Sequence, residues 1–268
     1  MKKSNIITFT GLCVLILAVV LFKFFWKDFS VNAGDKNTDS TTQAETTLAD
    51  NGNAETQKQS NEAVKNTQQS TSEKKTVSMK DALFIGDSRT VGLMEYSGID
   101  GPDFFCNVGM SVYNIHKKPV SVPNVGKVTL TELLSNKKYG KIYVMLGINE
   151  AGYPMQNTVS KYSELIDFIK EKQPNAYIFI QANLHVTKKR SDSDKSINNT
   201  VINELNSEIK KMADGKRKFY IDVNAVFDDD NGALSADKSE DSAHLYAKYY
   251  KDWGKWIIEQ TSSLIGEV

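Results

Sequence analysis

Between residues 82 and 263, five short apolar runs alternate with five longer segments, and this alternation restricts the fold more than any other feature of the chain. The runs are Ala82–Ile85, Phe104–Asn107, Lys141–Leu146, Ala176–Gln181 and Lys218–Asp222. Short, rich in β-branched and aromatic side chains, they read as buried strands. Arg89–Tyr96, Thr129–Asn136, Met155–Lys172, Ser196–Ala213 and Leu245–Ser263 read as helices. In the third of these, Tyr162, Leu165, Ile166 and Ile169 recur at the spacing of one buried face. A strand followed each time by a helix implies a parallel sheet covered on both sides. Right-handed crossovers then bring every strand's carboxyl end to the same edge. The expected fold is α/β: a three-layer α/β/α domain on a five-stranded, mainly parallel sheet, occupying residues 77–268.

The residues before this domain have a different character. From Val31 to Thr76 there is no Phe, Tyr or Trp, and small polar and charged residues dominate. Such a composition buries too little apolar surface to offset chain entropy, so 31–76 is expected to be a disordered linker. As a flexible coil its ends would lie about 40 Å apart. Upstream, nineteen uncharged residues separate Lys3 from Lys23. As a helix that stretch spans roughly 28 Å, close to the thickness of a bilayer's hydrocarbon core. Phe24, Phe25 and Trp26 follow where interfacial rings are expected. Residues 1–30 are therefore read as a cytoplasmic tip and a signal anchor that crosses the membrane once through 6–26, leaving the domain outside the cytoplasm. Cleavage after Val31-Asn32-Ala33 would instead release a secreted protein.

Charge and cysteine content narrow the chemistry. With 33 basic and 33 acidic side chains the net charge is zero, which offers nothing to a nucleic acid. Cys13 and Cys106 are far apart, and no disulfide is expected between them. No Cys/His cluster or His-x-x-x-His pattern suggests a metal, and Asp228-Asp229-Asp230 reads as a solvated acidic turn without an EF-hand's alternation. No cofactor is called for.

The carboxyl edge of the sheet is where an open α/β fold places reacting groups. Gly86-Asp87-Ser88 ends the first strand there. A serine at a strand-to-helix turn can expose its hydroxyl, although Asp87 and Ser88 serve equally well as a helix cap. Asp241 and His244 stand three residues apart, a spacing that lets the carboxylate accept from imidazole Nδ1–H and frees Nε2 to take a serine proton. Of the other two histidines, His116 lies in a lysine-flanked stretch and reads as a surface residue, while His185 either lines the cleft or is an idle loop residue. Gly109 follows the second strand and Asn149 the third; both can donate to an oxyanion, and both are common turn residues.

Phe84-Ile85-Gly86-Asp87-Ser88, Gly109, Gly147-x-Asn149 and Asp241-x-x-His244 together resemble, in order, the four blocks of the SGNH or GDSL-type hydrolases. The resemblance implies a flavodoxin-like three-layer fold, Ser88 as nucleophile, His244 as base and Asp241 as its orienting acid. It also implies an oxyanion hole of Ser88 N–H, Gly109 N–H and Asn149. Two positions depart from the family pattern. Arg89 replaces a leucine and Glu150 an aspartate. Arg89 either meets an anionic substrate group or pairs with Glu150 or another carboxylate; with His185, these residues are the candidate substrate contacts. The expected activity is hydrolysis of acyl esters, O-acetyl esters in particular, on cell-envelope carbohydrate or a related small substrate. An O-acyltransferase using the same residues and an idle glycan-binding module are the alternatives.

Overall fold

A computed structural model describes residues 77–266 of the chain. The anchor expected at 6–26, the linker expected at 31–76 and Cys13 lie outside the described residues. Among the described residues, no helix is long and apolar enough to cross a membrane.

The order of elements is β1 (Ala82–Gly86), α1 (Ser88–Tyr96), β2 (Asp103–Cys106), a hairpin of β3 (Val120–Val122) and β4 (Gly126–Val128), α2 (Leu130–Asn136), β5 (Lys141–Met145), α3 (Met155–Lys172), β6 (Tyr177–Gln181), α4 (Lys188–Ser193), α5 (Asn199–Lys210), β7 (Lys218–Ile221), α6 (Asn224–Phe227) and α7 (Tyr250–Ile265). The strands form one five-stranded sheet in the order β2-β1-β5-β6-β7, and every pairing in it is parallel. This is the three-layer α/β/α architecture expected, in which the order reverses beside β1, the position where doubly wound sheets open a crevice.

Alternation along the strands builds two cores. Leu83 and Ile85 of β1 face the side covered by α2, α3 and α5, where Leu133, Leu165, Ile166, Leu205 and Ile209 are buried. Ala82 and Phe84 face the side covered by α1 and α7, with Leu93, Trp253 and Ile257. On this second side five rings form one stacked row across all five strands, Phe104–Phe84–Tyr143–Phe179–Phe219, with centroids 5.0, 4.4, 4.7 and 5.6 Å apart. Each contact follows from strand register, since Phe84 pairs with Phe104 and with Tyr143, Tyr143 with Phe179, and Phe179 with Phe219. Such pairs contribute about 0.5–1.5 kcal/mol each beyond their burial.

The structure departs from expectation mainly at short elements. The hairpin β3–β4 was not expected; its strands have three residues each and turn through Asn124 and Gly126, both at positive φ. The helix read as Ser196–Ala213 begins at Asn199, because the Asn198 side chain accepts from Val201 N and caps it. Lys188–Ser193 forms a separate short helix ahead of it. The last helix starts at Tyr250 rather than Leu245, because the segment before it is spent on a tight turn and a 3₁₀ turn at Ala247–Tyr249.

Candidate active site

Gly86 allows β1 to run directly beneath α1. A Cβ at this position would lie 2.0 Å from Thr90 Oγ1 and 2.7 Å from the Met145 carbonyl oxygen, so only glycine fits. Asp87 caps α1, its Oδ1 accepting from Arg89 N at 3.0 Å. The same carboxylate grips the Arg89 guanidinium, which donates from Nε to Oδ1 at 3.1 Å and from Nη2 to Oδ2 at 2.7 Å. Both residues are wholly buried. Arg89 also donates to Asn183 Oδ1 at 3.0 Å and to the Leu184 carbonyl at 3.4 Å. Burial works against the guanidinium's charge, but Asp87 outweighs it and the pKa is raised. Ser88 is thus held between two residues locked to each other beneath the surface.

The Ser88 hydroxyl lies 2.8 Å from His244 Nε2. His244 Nδ1 lies 2.5 Å from Asp241 Oδ2. With Nδ1–H donating to the carboxylate, Nε2 is left as the acceptor of the serine proton. The other oxygen, Asp241 Oδ1, accepts from Ala243 N at 2.9 Å and His244 N at 2.7 Å, which winds the segment into a tight turn. Ser242 takes φ +70°, a left-handed conformation that ordinarily costs a non-glycine residue about 1–3 kcal/mol. Its carbonyl accepts from Thr187 N at 3.0 Å, which helps hold that turn. Burial tends to raise the Asp241 pKa, yet hydrogen bonds from the backbone and ring of His244 and from Ala243 N bring it down to about 2. The carboxylate therefore stays ionised under any ordinary working condition. The group is open to solvent, with 41 % of the His244 side chain and 54 % of the Asp241 side chain exposed.

The two expected oxyanion loops meet each other at the carboxyl edge of the sheet, where β1 also ends. Asn107 N donates to the Gly86 carbonyl at 3.3 Å, placing the turn Asn107–Met110 against the end of β1. Gly109 has φ +73°, and a Cβ on it would meet nothing within 4 Å, so backbone conformation rather than space favours glycine there. Asn149 donates one amide hydrogen to the Met110 carbonyl at 2.9 Å and retains a second. The N–H groups of Ser88 and Gly109 have no acceptor among the described residues.

The three residues read as possible substrate contacts are placed differently from that expectation. Arg89 is buried on Asp87, another carboxylate than Glu150, and cannot reach a ligand. Glu150 is also buried; its Oε1 accepts from Val112 N at 2.6 Å, and its Oε2 is buried without a partner among the described residues. His185 is enclosed, with Nδ1 2.8 Å from Asp228 Oδ2 and Nε2 2.8 Å from Asn203 Oδ1. Asp228 is accordingly a partner of His185 and not simply part of a solvated turn. His116 is exposed as expected, its ring edge-on to Phe168 at 4.9 Å.

Sequence reasoning missed a set of asparagines. Asn206 holds both the N–H and the carbonyl of Asn183. Asn199 does the same for Val186, and Asn224 bridges the Asn183 carbonyl and His185 N. Together they replace a strand's partners along the segment after β6, which leads to the Ser242 contact. One signal was present: Asn206 shares the apolar stripe of Ile202, Leu205 and Ile209, where an exposed polar residue has no place.

Burial raises the Glu150 pKa to about 7, with Asp87 adding to the shift and the Val112 N–H and Arg89 opposing it. The folded protein then holds this proton at pH values where the unfolded chain has released it, so stability falls as pH rises from about 4.5 through 7. Glu150→Gln keeps the acceptor for Val112 and removes the titration. The loss of Tm between pH 5 and pH 8 is expected to be smaller in this variant; an equal loss would exclude Glu150 as its source.

A family model described as GDSL-like Lipase/Acylhydrolase family matches residues 84–251. No curated protein matches the chain. Among solved structures, the chain is similar to a candidate platelet activating factor from Streptococcus pneumonia, at 18% identity and TM-score 0.54 over 67% of this chain and 83% of that one. It is similar also to a GDSL-like lipase from Bacteroides thetaiotaomicron, at 15% identity and TM-score 0.51 over 68% and 89%. A candidate GDSL-like lipase from Parabacteroides merdae aligns at 17% identity and TM-score 0.52 over 70% and 99%. These likenesses bear on the fold.

Proposed function

Since the chain belongs to the GDSL-like lipase/acylhydrolase family and is an ester-hydrolysing serine hydrolase, we propose that Ser88, His244 and Asp241 carry out that hydrolysis. The observation that carries this reading is the 2.8 Å approach of Ser88 Oγ to His244 Nε2, with Asp241 behind the ring.

In the first half-reaction Ser88 Oγ bonds to the ester carbonyl carbon while His244 Nε2 takes the hydroxyl proton. The carbonyl oxygen becomes an oxyanion held by the N–H groups of Ser88 and Gly109 and by the Asn149 amide. As the carbon–oxygen ester bond breaks, His244 returns the proton to the departing alcohol. Water, deprotonated by the same imidazole, then attacks the acyl-serine and regenerates Ser88. Asp241, ionised throughout, holds the tautomer and stabilises the imidazolium. Asn149→Ala is expected to lower kcat by about 10²–10³ with a smaller change in KM. A decrease of less than about threefold would remove Asn149 from the oxyanion hole.

The proposed substrate is an acylated carbohydrate, with O-acetyl groups as the leading case. A solvent-open base and acid suit an ester carried on a larger molecule better than one enclosed in a deep pocket. The proposed setting is the outer face of a membrane, with 6–26 as the anchor and 31–76 as the tether. The full-length chain should release acetate from an acetylated oligosaccharide and take a fluorophosphonate label on Ser88. Label on another residue, or none, would refute the nucleophile assignment. Recovery of the chain from the soluble fraction alone would refute the anchor.

A further inference from the structure

Tyr153 is 57 % exposed although its ring stacks on that of Tyr113, with centroids 4.5 Å apart and planes 26° from parallel. One face of Tyr153 is therefore covered and the other presented to solvent. Tyr113 is fixed in turn by its hydroxyl, 3.1 Å from Thr158 Oγ1 at the start of α3. The pair belongs to the two loops that carry the oxyanion donors: Tyr113 lies four residues beyond Gly109, and Tyr153 four beyond Asn149. Glu150 ties these loops together, accepting from Val112 N through its side chain at 2.6 Å and from Tyr153 N through its carbonyl at 3.0 Å. The Asn149 amide adds a second tie at Met110. An aromatic face is thus held rigidly on the two loops that carry the oxyanion donors and left open to solvent.

Resting on the reading above of an acylated-carbohydrate hydrolase, we propose that the outer face of Tyr153, backed by Tyr113, is a stacking platform for a pyranose ring of the substrate. The electron-rich face of a tyrosine attracts the weakly positive C–H groups that a pyranose displays on one side. A ring already immobilised by stacking loses little conformational freedom on binding. The exposed neighbours of Tyr153 also favour a sugar over an acyl chain: Gln156 and Asn157 offer amide donors and acceptors of the kind that hydroxyls pair with. An acyl chain would call for an apolar enclosure.

The test compares two substrates with the full-length chain: an O-acetylated xylo- or gluco-oligosaccharide, and p-nitrophenyl acetate, which has no sugar. Tyr153→Ala is expected to raise the KM for the oligosaccharide relative to that for p-nitrophenyl acetate by about tenfold, equivalent to ~1.4 kcal/mol of lost stacking. The ratio of the two kcat values should move far less. Tyr153→Phe and Tyr153→Trp, which keep a ring face, should restore the KM ratio. An unchanged ratio in Tyr153→Ala, or a ring-independent loss in all three variants, would overturn the platform while leaving the hydrolase reading intact. A change in preference among p-nitrophenyl acetate, butyrate and hexanoate, with the sugar dependence untouched, would assign the ring to the acyl side and also overturn it. Failure of the wild-type chain to deacetylate the oligosaccharide, with Ser88-dependent turnover of p-nitrophenyl acetate, would remove the carbohydrate reading and the platform with it.

Discussion

Ser88→Ala is expected to lower turnover of p-nitrophenyl acetate by about 10⁴–10⁶ while leaving the fold intact. The loss should be so large because the serine hydroxyl is the only atom of the site that would bond to the substrate. On the proposed mechanism, His244 and the oxyanion donors stabilise an attack and have none to stabilise without the nucleophile. His244→Ala is expected to fall to a similar level, and the double variant scarcely lower, since groups acting as a unit do not contribute additively. The measurement is kcat for the purified full-length variants, with thermal melts to show that each is folded. Turnover in Ser88→Ala within about tenfold of wild type would mean that another nucleophile does the chemistry.

The second large effect concerns stability. Arg89→Ala is expected to cost about 3–5 kcal/mol, because the Asp87 carboxylate would remain buried with its principal counter-charge gone. For a domain of this size that corresponds to a fall in Tm of roughly 6–20 °C. Replacing both partners, as in Asp87→Asn with Arg89→Met, is expected to cost less than Arg89→Ala alone, since no uncompensated charge is left. The comparison of single and double variants therefore tests the pair even if the single variant folds poorly. A Tm change below about 2 °C in Arg89→Ala, the scale of a surface substitution, would contradict the burial on which this expectation rests.

Arg89 also shows where a linear reading loses sight of the molecule. Beside a serine at a strand end, an arginine reads either as a contact for an anionic substrate group or as the partner of Glu150 or another carboxylate, and the sequence does not say which; the structure pairs it with Asp87. Its burial depends on Asp87 two positions before it and on Asn183 and Leu184 some ninety-five positions after it, a partnership that no local pattern records. Glu150 and His185 escaped for the same reason: Glu150 meets Val112 N, 38 positions before it, and His185 meets Asn203 and Asp228, 18 and 43 positions after it. The five strands were legible because their apolar runs are dense, short and rich in β-branched and aromatic residues. Met155–Lys172 was legible to its last residue because eighteen residues give the helical period room to repeat. The hairpin Val120–Val128 was not, since three-residue strands hold barely one alternation. The spacing of Asp241 and His244 was enough to anticipate their contact, because three residues around a tight turn set the geometry locally. Their meeting with Ser88, 156 positions away, depends on the parallel sheet bringing its carboxyl ends together.

The row of five rings has a bearing on how the chain can be made. Its members are drawn from positions 84, 104, 143, 179 and 219, so it closes only when most of the domain has been synthesised. Trp253 and Ile257 arrive later still to cover that face of the sheet. A nascent chain must therefore keep an adhesive aromatic strip from finding other partners until its last helix emerges, which makes truncation near the carboxyl end a route to aggregation rather than to a smaller enzyme.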